Sequence, residues 1–337
     1  MPFHKRQIKV FRWFVSLLLL LLFAYLSENK KSVEPPSSQV PVLYSNACQD
    51  DLEELFVKSV QEAKKSILLI TYSMSDMKLI QALNHQANQG VEINVVYDKS
   101  TPPGGFKKLS KKIVAQGIKF SGLMHKKILV LDNEKILLGS ANMTSESLRM
   151  HDNLVVGLIN SHLAQTIENQ EPYILTTCSE QQAEYWSFPE MGKEGLQRVL
   201  ELIHGAQYSL RIAMFTWTHP QLTQAVIRAH QRGVKVEIIM DHGQTNGVCQ
   251  ATYQILMNAG IDVRVSSGLG LLHHKFAWID ETTLINGSAN WTAAAFTRNK
   301  DCLLILYTLS EVQNKKMRTL WKKTKRASTK EEFHLAA

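Results

Sequence analysis

Two histidines and two lysines stand at matched offsets in this chain of 337 residues. The stretch MHKKILVLDNEKILLGSANMT, residues 124–144, carries His125, Lys127, Asp132, Gly139, Ser140 and Asn142. LHHKFAWIDETTLINGSANWT, residues 272–292, repeats all six 148 positions later as His273, Lys275, Asp280, Gly287, Ser288 and Asn290. An imidazole near neutral pH can attack in its neutral form or give up a proton in its charged form. Lysine ammonium groups and asparagine amides neutralise and hydrogen-bond oxyanions. Such a set suits attack on a phosphodiester, which needs a nucleophile, an acid for the departing oxygen and donors around the non-bridging oxygens. It calls for no metal and no cofactor, and no cluster of carboxylates in the sequence is spaced to hold a metal.

Positioning these groups is the work of the segments around them. Alternation along a strand sets His125 with Lys127, and His273 with Lys275, on one face, with ILVL and FAWI as the apolar strands that fix them. His274 falls on the opposite face and outside the HxK spacing. Ser140 and Ser288 stand at turns, from which they either reach back to the histidines or serve the turn alone.

The repeat runs well beyond the motif. Residues 65–98 align without gaps on 208–241 at an offset of 143, matching Ser66 with Ser209, Gly90 with Gly233 and Asp98 with Asp241. The offset grows to 148 because VRVSSGLGLL lengthens the second copy before its histidine. Each copy reads as helix, strand, helix, strand, helix and then the motif strands, with Gly90 and Gly233 closing helices 77–89 and 220–232. This predicts an α/β protein of two similar α-β-α sandwich halves with mixed sheets, related by a pseudo-twofold axis and sharing one active site. The expected boundaries are an N-terminal hydrophobic anchor or signal peptide (1–27), a linker (28–44), a first half (45–178), a second half (179–326) and a tail (327–337).

The doubled motif resembles the HKD signature of the phospholipase D superfamily, and the likeness covers the body from about 45 to 325. It implies metal-independent cleavage of a phosphodiester through a phosphohistidine intermediate. By the same resemblance His125 is the nucleophile and His273 the general acid, an order that the symmetry of the sequence itself leaves open. Lys127, Lys275, Asn142 and Asn290 then bind the phosphate, and Asp132 and Asp280 complete the catalytic motif, although in the family this aspartate tends to be structural. The family also places an acidic residue, often Glu, after GSxN to hydrogen-bond the catalytic histidine. Matching by register gives Asp152 and Asp301 here, with Ser140 and Ser288 in support.

Composition narrows the partners. Lys and Arg number 38 against 30 Asp and Glu, for a net charge of +8, which favours an anionic partner such as a phospholipid membrane surface or nucleic acid. Cys48, Cys178, Cys249 and Cys302 lack CxxC spacing, so neither a zinc site nor a redox pair is indicated. Lys5, Arg6, Lys9 and Arg12 precede the apolar run from Trp13 to Leu26. This is an uncleaved single-span anchor, or a signal peptide of an exported protein if it is cut; FAYLSEN offers a poor cleavage site. The anchor favours a phospholipase D that releases phosphatidate and a head-group alcohol, since it holds the site near lipid. A membrane-anchored nuclease of the same superfamily is the alternative, helped by the basic runs KKLSKK (107–112) and KKMRTLWKKTKR (315–326). A phosphatidyltransferase resembling cardiolipin synthase and a non-catalytic scaffold rank below it. Trp321, at helical spacing from Met317, is expected in the core, and both a monomer and a homodimer fit the sequence.

Overall fold

The computed structural model describes residues 30–267 and 270–330. The expected N-terminal anchor, Gly268 and Leu269 of the glycine-rich stretch, and residues 331–337 of the tail lie outside the described residues. Among those described, no helix is long and apolar enough to cross a membrane.

Seven strands form the first sheet: β1 (Val42–Ser45), β2 (Ser66–Thr71), β3 (Glu92–Asp98), β4 (Val114–Ile118), β5 (Ile128–Leu131), β6 (Lys135–Gly139) and β7 (Leu154–Ile159). Nine form the second: β8 (Tyr173–Cys178), β9 (Gln181–Ser187), β10 (Ser209–Met214), β11 (Lys235–Met240), β12 (Asp262–Ser266), β13 (Lys275–Ile279), β14 (Thr283–Gly287), β15 (Cys302–Leu306) and β16 (Ser328–Thr329). Their orders are β1-β7-β6-β5-β2-β3-β4 and β16-β12-β11-β10-β13-β14-β15-β9-β8. Six strands of each thus share one order, as the repeat requires, and only the edges differ. Both sheets are mixed: β2, β3 and β4 run parallel, whereas β2-β5, β5-β6 and β6-β7 are antiparallel.

Two expected boundaries shift. The linker ends before residue 44, because Val42–Ser45 pairs with β7 as an edge strand that buries Leu43 and Tyr44. The second sheet begins at Tyr173, ahead of the expected division at 178, because β8 forms a hairpin with β9. Ser328–Thr329 of the tail pairs with β12.

Strand alternation explains the layers. In β5, Leu129 and Leu131 point to the helices Leu52–Glu62 and Met77–Asn88, while Ile128 and Val130 point toward the other half. In β13, Ala277 and Ile279 face their own helices, while Phe276 and Trp278 meet the inter-half layer. Burial on both faces is why these strands read as unbroken apolar runs. The inter-half layer also takes Leu163 and Ile167 from helix Ser161–Glu168, and Met317, Leu320 and Trp321 from helix Glu311–Arg326. The basic run 315–326 is therefore the solvated side of an amphipathic helix whose apolar side, Trp321 included, is core.

Local signals set the helix ends. Asp51 and Asp76 accept backbone N–H groups at the starts of the first two helices, and Ser310 forms a capping box with Gln313. Gly90 and Gly233, at φ 94° and 92°, take the left-handed conformation that ends the matched helices of the two halves.

Candidate active site

The two halves meet through pairs of contacts that exchange under one operation. Met124 forms a bridge with Lys300, and Leu272 one with Asp152. Shifting each number by 148 converts either pair into the other, which is the mark of a twofold relation between the copies. At this seam the N–H groups of His125 and Lys126 both donate to the Lys300 carbonyl, and that of Asp152 donates to the Leu271 carbonyl. Each histidine thereby sits against the other half.

Side chains follow the same exchange. His125 Nδ1 lies 2.8 Å from Asp301 Oδ1, and His273 Nδ1 lies 3.0 Å from Asn153 Oδ1. Ser288 Oγ donates to Asp301 Oδ1 at 2.7 Å, and Ser140 Oγ donates to Asn153 Oδ1 at 2.9 Å. These serine hydroxyls also accept the backbone N–H of Cys302 and Leu154. Both serines hold the partner of the histidine in the opposite half.

The partner of His273 is Asn153, and this corrects the expectation of Asp152. Asn153 and Asp301 each lie 13 residues beyond their serine, whereas Asp152 belongs one place earlier in the register. Burial alone raises the Asp152 carboxyl to about 6.

Hydrogen-bond donors settle the tautomers. Asp301 can only accept, so the proton of a neutral His125 sits on Nδ1 and its Nε2 lone pair is free. Asn153 Nδ2 donates to the carbonyls of Ser147 and His151, which fixes Oδ1 as its accepting end. His273 therefore also carries its proton on Nδ1.

Lys127 and Lys275 are both 1% exposed, and each donates to the carbonyl of the histidine two residues before it. Their ammonium groups lie over aromatic faces, Lys127 at 5.4 Å from the Tyr72 ring and Lys275 at 4.8 Å from that of Phe215. The same rings flank the imidazoles, at 5.5 Å for Tyr72 with His125 and 5.0 Å for Phe215 with His273.

Burial and crowding of cations displace every titration in the cluster. Burial brings Lys127 down to about 7, with Asp301 opposing the fall. Burial and the field of Lys127 push Lys275 well below its ordinary value. Burial, Lys275, Lys127 and His125 do the same to His273. His125 falls through burial and Lys127, against the pull of Asp301. Burial favours a protonated Asp301, but His125, Lys127 and Ser288 outweigh it and hold its carboxyl below the usual range. The site thus gathers four buried basic groups around Asp301, the carboxylate that hydrogen-bonds a histidine of the cluster, with Asp98 and Asp241 acting on Lys127 and Lys275 from behind.

Asp132 and Asp280 do not join it, which corrects their place in the catalytic set. Asp132 accepts the N–H groups of Lys64, Lys65 and Ser66, and Asp280 those of Gln207, Tyr208 and Ser209. Five residues of extended chain past the lysine carry each to the far end of its strand, about 16 Å away. Asn142 and Asn290 stand half-buried in the turns after Ser140 and Ser288. Asn290 Oδ1 accepts the Thr216 N–H, leaving its amide N–H groups as donors. His274 is fully buried with its ring edge-on to Phe276, and burial drives it down to about 3, so it stays neutral.

Three supports escaped the sequence reading: Asn153, the aromatic pair Tyr72 and Phe215, and the pair Asp98 and Asp241. The last two carboxylates accept the N–H of Met124 and Leu272, pinning the residue before each histidine. Their match in the repeat was a signal that could have revealed them.

The chain matches the family described as "Cardiolipin synthase, PLD-like domain" over residues 56–171 and 199–322, and each of the two stretches contains one HxK pair. The chain belongs to this PLD-like family. Mitochondrial cardiolipin hydrolase of Canis lupus familiaris is 41% identical over 117 residues, 34% of this chain and 45% of that protein. A protein named phospholipase D from Rickettsia typhi is 27% identical over 152 residues, 42% of this chain and 72% of that protein. The chain spans about half the length of the first of these relatives. In fold, the crystal structure of phosphatidylserine synthase from Haemophilus influenzae superposes with a TM-score of 0.70 over 88% of both chains at 12% identity. The PLD-like fold here has both copies in one chain, so its two HxK pairs meet within a single molecule.

Proposed function

We propose that this PLD-like protein is a membrane-associated phospholipase D that hydrolyses glycerophospholipids to phosphatidate and the free head-group alcohol. The observation that carries the reading is the meeting of two imidazoles and two buried lysine amines, one of each from either half, with the Asp301 carboxylate on one imidazole and the Asn153 amide on the other. A phosphodiester brings negative charge to these basic groups, and Lys127, Lys275, Asn142 and Asn290 hold its non-bridging oxygens.

The asymmetry of the partners supports an order for the histidines. His125 attacks phosphorus through Nε2, and its ring gains positive charge as the bond forms; Asp301 stands where that charge develops. His273, as the imidazolium, gives its Nε2 proton to the departing alkoxide, and its ring loses charge beside a neutral amide that does not hold it. Binding of the anionic ester raises the depressed pKa of His273 and charges it for this step. In the second half-reaction the now neutral His273 takes a proton from water, the water oxygen attacks phosphorus, and the bond to His125 breaks.

Relatives named cardiolipin hydrolase and phospholipase D support a lipid substrate and association with a membrane. The test is product analysis with the full chain, offered mixed phospholipids and single-stranded DNA separately in the presence of chelator. Phosphatidate release that disappears in His125→Ala and in His273→Ala is the expected result. Shortened oligonucleotides without phosphatidate would replace it with a nuclease, and turnover retained in either variant would refute the roles of the two histidines.

A further inference from the structure

Both loops that lead into the histidines expose large apolar side chains to water. Leu123 and Leu271, each two residues before its histidine and equivalent under the twofold relation, are 38% and 39% exposed. Phe120 is 38% exposed and Met150, just before His151, is 51% exposed. These four form two patches at the seam. On one side the Leu123 N–H donates to Asn299 Oδ1, its carbonyl accepts the Lys300 N–H, and Lys300 Nζ lies 4.9 Å from the centre of the Phe120 ring. On the other side the Leu271 carbonyl accepts the Asp152 N–H, and Gly270 packs so closely on Met150 that an added Cβ would lie 2.0 Å from the Met150 carbonyl oxygen. His151 links this second patch to the chemistry, its ring 6.1 Å from that of His273.

Single exposed apolar residues are ordinary, but three on the loops that lead into the histidines, with Met150 beside them at the end of helix Ser145–Arg149, mark an interface. Cations accompany them: Lys119 and Arg298 are exposed, and no ion pair engages either among the described residues. A groove for a polyanion alone would favour basic and polar side chains at these positions. Apolar side chains interspersed with free cations match the boundary of an anionic bilayer, where the former enter the acyl region and the latter meet phosphates.

We propose that Phe120, Leu123, Met150 and Leu271 form an apolar rim that sinks into an anionic phospholipid bilayer and seats the His125–His273 site over a headgroup; the inference rests on the phospholipase reading above. Docking by the rim presents the lipid phosphodiester at the mouth without drawing the whole lipid into water. It is separate from any attachment made by residues 13–26, because it sets the orientation of the site and not merely its nearness to the surface.

The test uses the full chain with phosphatidylcholine vesicles, with and without phosphatidylglycerol, and bis(p-nitrophenyl) phosphate as a water-soluble phosphodiester. Phe120→Ser, Met150→Ser and Leu271→Ser should each lower vesicle turnover by about tenfold, as expected when one large apolar side chain no longer leaves water. Turnover of the soluble ester should stay unchanged. Unchanged vesicle turnover, or an equal fall on both substrates, would overturn the inference. A second readout separates it from the phospholipase reading: the four native cysteines are buried, so an environment-sensitive dye on Met150→Cys reports this site alone. The dye should shift to the blue on vesicles that contain phosphatidylglycerol. A shift without lipid cleavage would leave the rim standing and sink the phospholipase; lipid cleavage without a shift would do the reverse.

Discussion

Moving the carboxylate that bonds a reacting histidine from one histidine to the other gives the sharpest test of the catalytic order. In Asp301→Asn the amide oxygen can accept from His125 as Asn153 does from His273, so that bond is kept while the charge, and the long bond from Asn299 Nδ2 to Oδ2, are removed. Taking about 5 Å from the carboxylate to Nε2 and an effective dielectric near 20, the attraction lost as the ring turns cationic is about 3 kcal/mol, or about 10²-fold in kcat. Asn153→Asp alone puts a carboxylate beside the acid, raises the pKa of His273 and extends activity to higher pH, because the imidazolium then survives further up the scale. The double variant Asp301→Asn/Asn153→Asp mirrors the native site, so the roles of the histidines should exchange. Rapid quench with bis(p-nitrophenyl) phosphate, followed by peptide mass spectrometry, locates the phosphoryl adduct, on His125 in the native protein and on His273 in the double variant. An adduct on His273 in the native protein, or Asp301→Asn turning over at the native rate, would refute the electrostatic argument.

Anion binding should take up protons, because burial brings Lys127 down to about 7 and a bound phosphate raises it again. Calorimetry of inorganic phosphate binding in buffers of different ionisation enthalpy should show uptake near pH 7 and an affinity that falls as pH rises above it; binding independent of pH would argue against the lysines as its receptors. Asp132→Asn should cost about 1.5–3 kcal/mol of stability with kcat intact, since the carboxylate ties down three N–H groups remote from the chemistry. The folded-state pKa of Asp132 is lowered, by its bonds to Ser66, Lys64 and Lys65 against the opposing effect of burial, so its stabilisation is present above the unfolded carboxylate pKa and is lost as pH falls through the folded value. Denaturant titration of Asp132→Asn against the native protein, at pH 7 and at acid pH, should show the gap closing in acid. Ser288→Ala should lower kcat more than Ser140→Ala, because Ser288 steadies a charged partner and Ser140 a neutral one; equal losses in steady-state assays would argue against this difference.

Much of this architecture was legible because duplication prints each constraint twice. The matched motifs and glycines gave the two sheets, the strand faces and the HxK pairs, since alternation and helix closure are local and leave local marks. What was missed lies between the copies. Asn153 and Asp301 act on histidines 120 and 176 residues away, and no periodicity encodes which half supplies a partner. Expecting an acidic residue at both positions favours Asp152 over its amide neighbour, whereas the 13-residue spacing from the serine points to Asn153. Asp132 and Asp280 misled for the opposite reason, since sharing a motif with the histidines says nothing of sharing an end of the strand. The edge strand Val42–Ser45 hid in a proline-rich stretch because its partner, β7, lies more than 100 residues on.

The departure from symmetry is where the function resides. A perfect twofold would give both rings the same partner and the same proton affinity, so neither would be set apart to attack and neither to protonate. Backbone clamps, buried lysines and serine hydroxyls all keep the twofold here, and on the proposed reading the lysines hold a phosphate, a task itself nearly symmetric about phosphorus, while the clamps and serines steady the histidines and their partners. The partners of the histidines break it, Asp301 against Asn153, and bond making and bond breaking are the one pair of tasks that differ in the direction charge moves. A carboxylate at 153 would bring negative charge to His273 and Lys275, but on the proposed reading it would also hold the proton that the leaving group needs. An amide there leaves His273 without a charged partner of its own, so that on the proposed reading the substrate anion is the group that charges it.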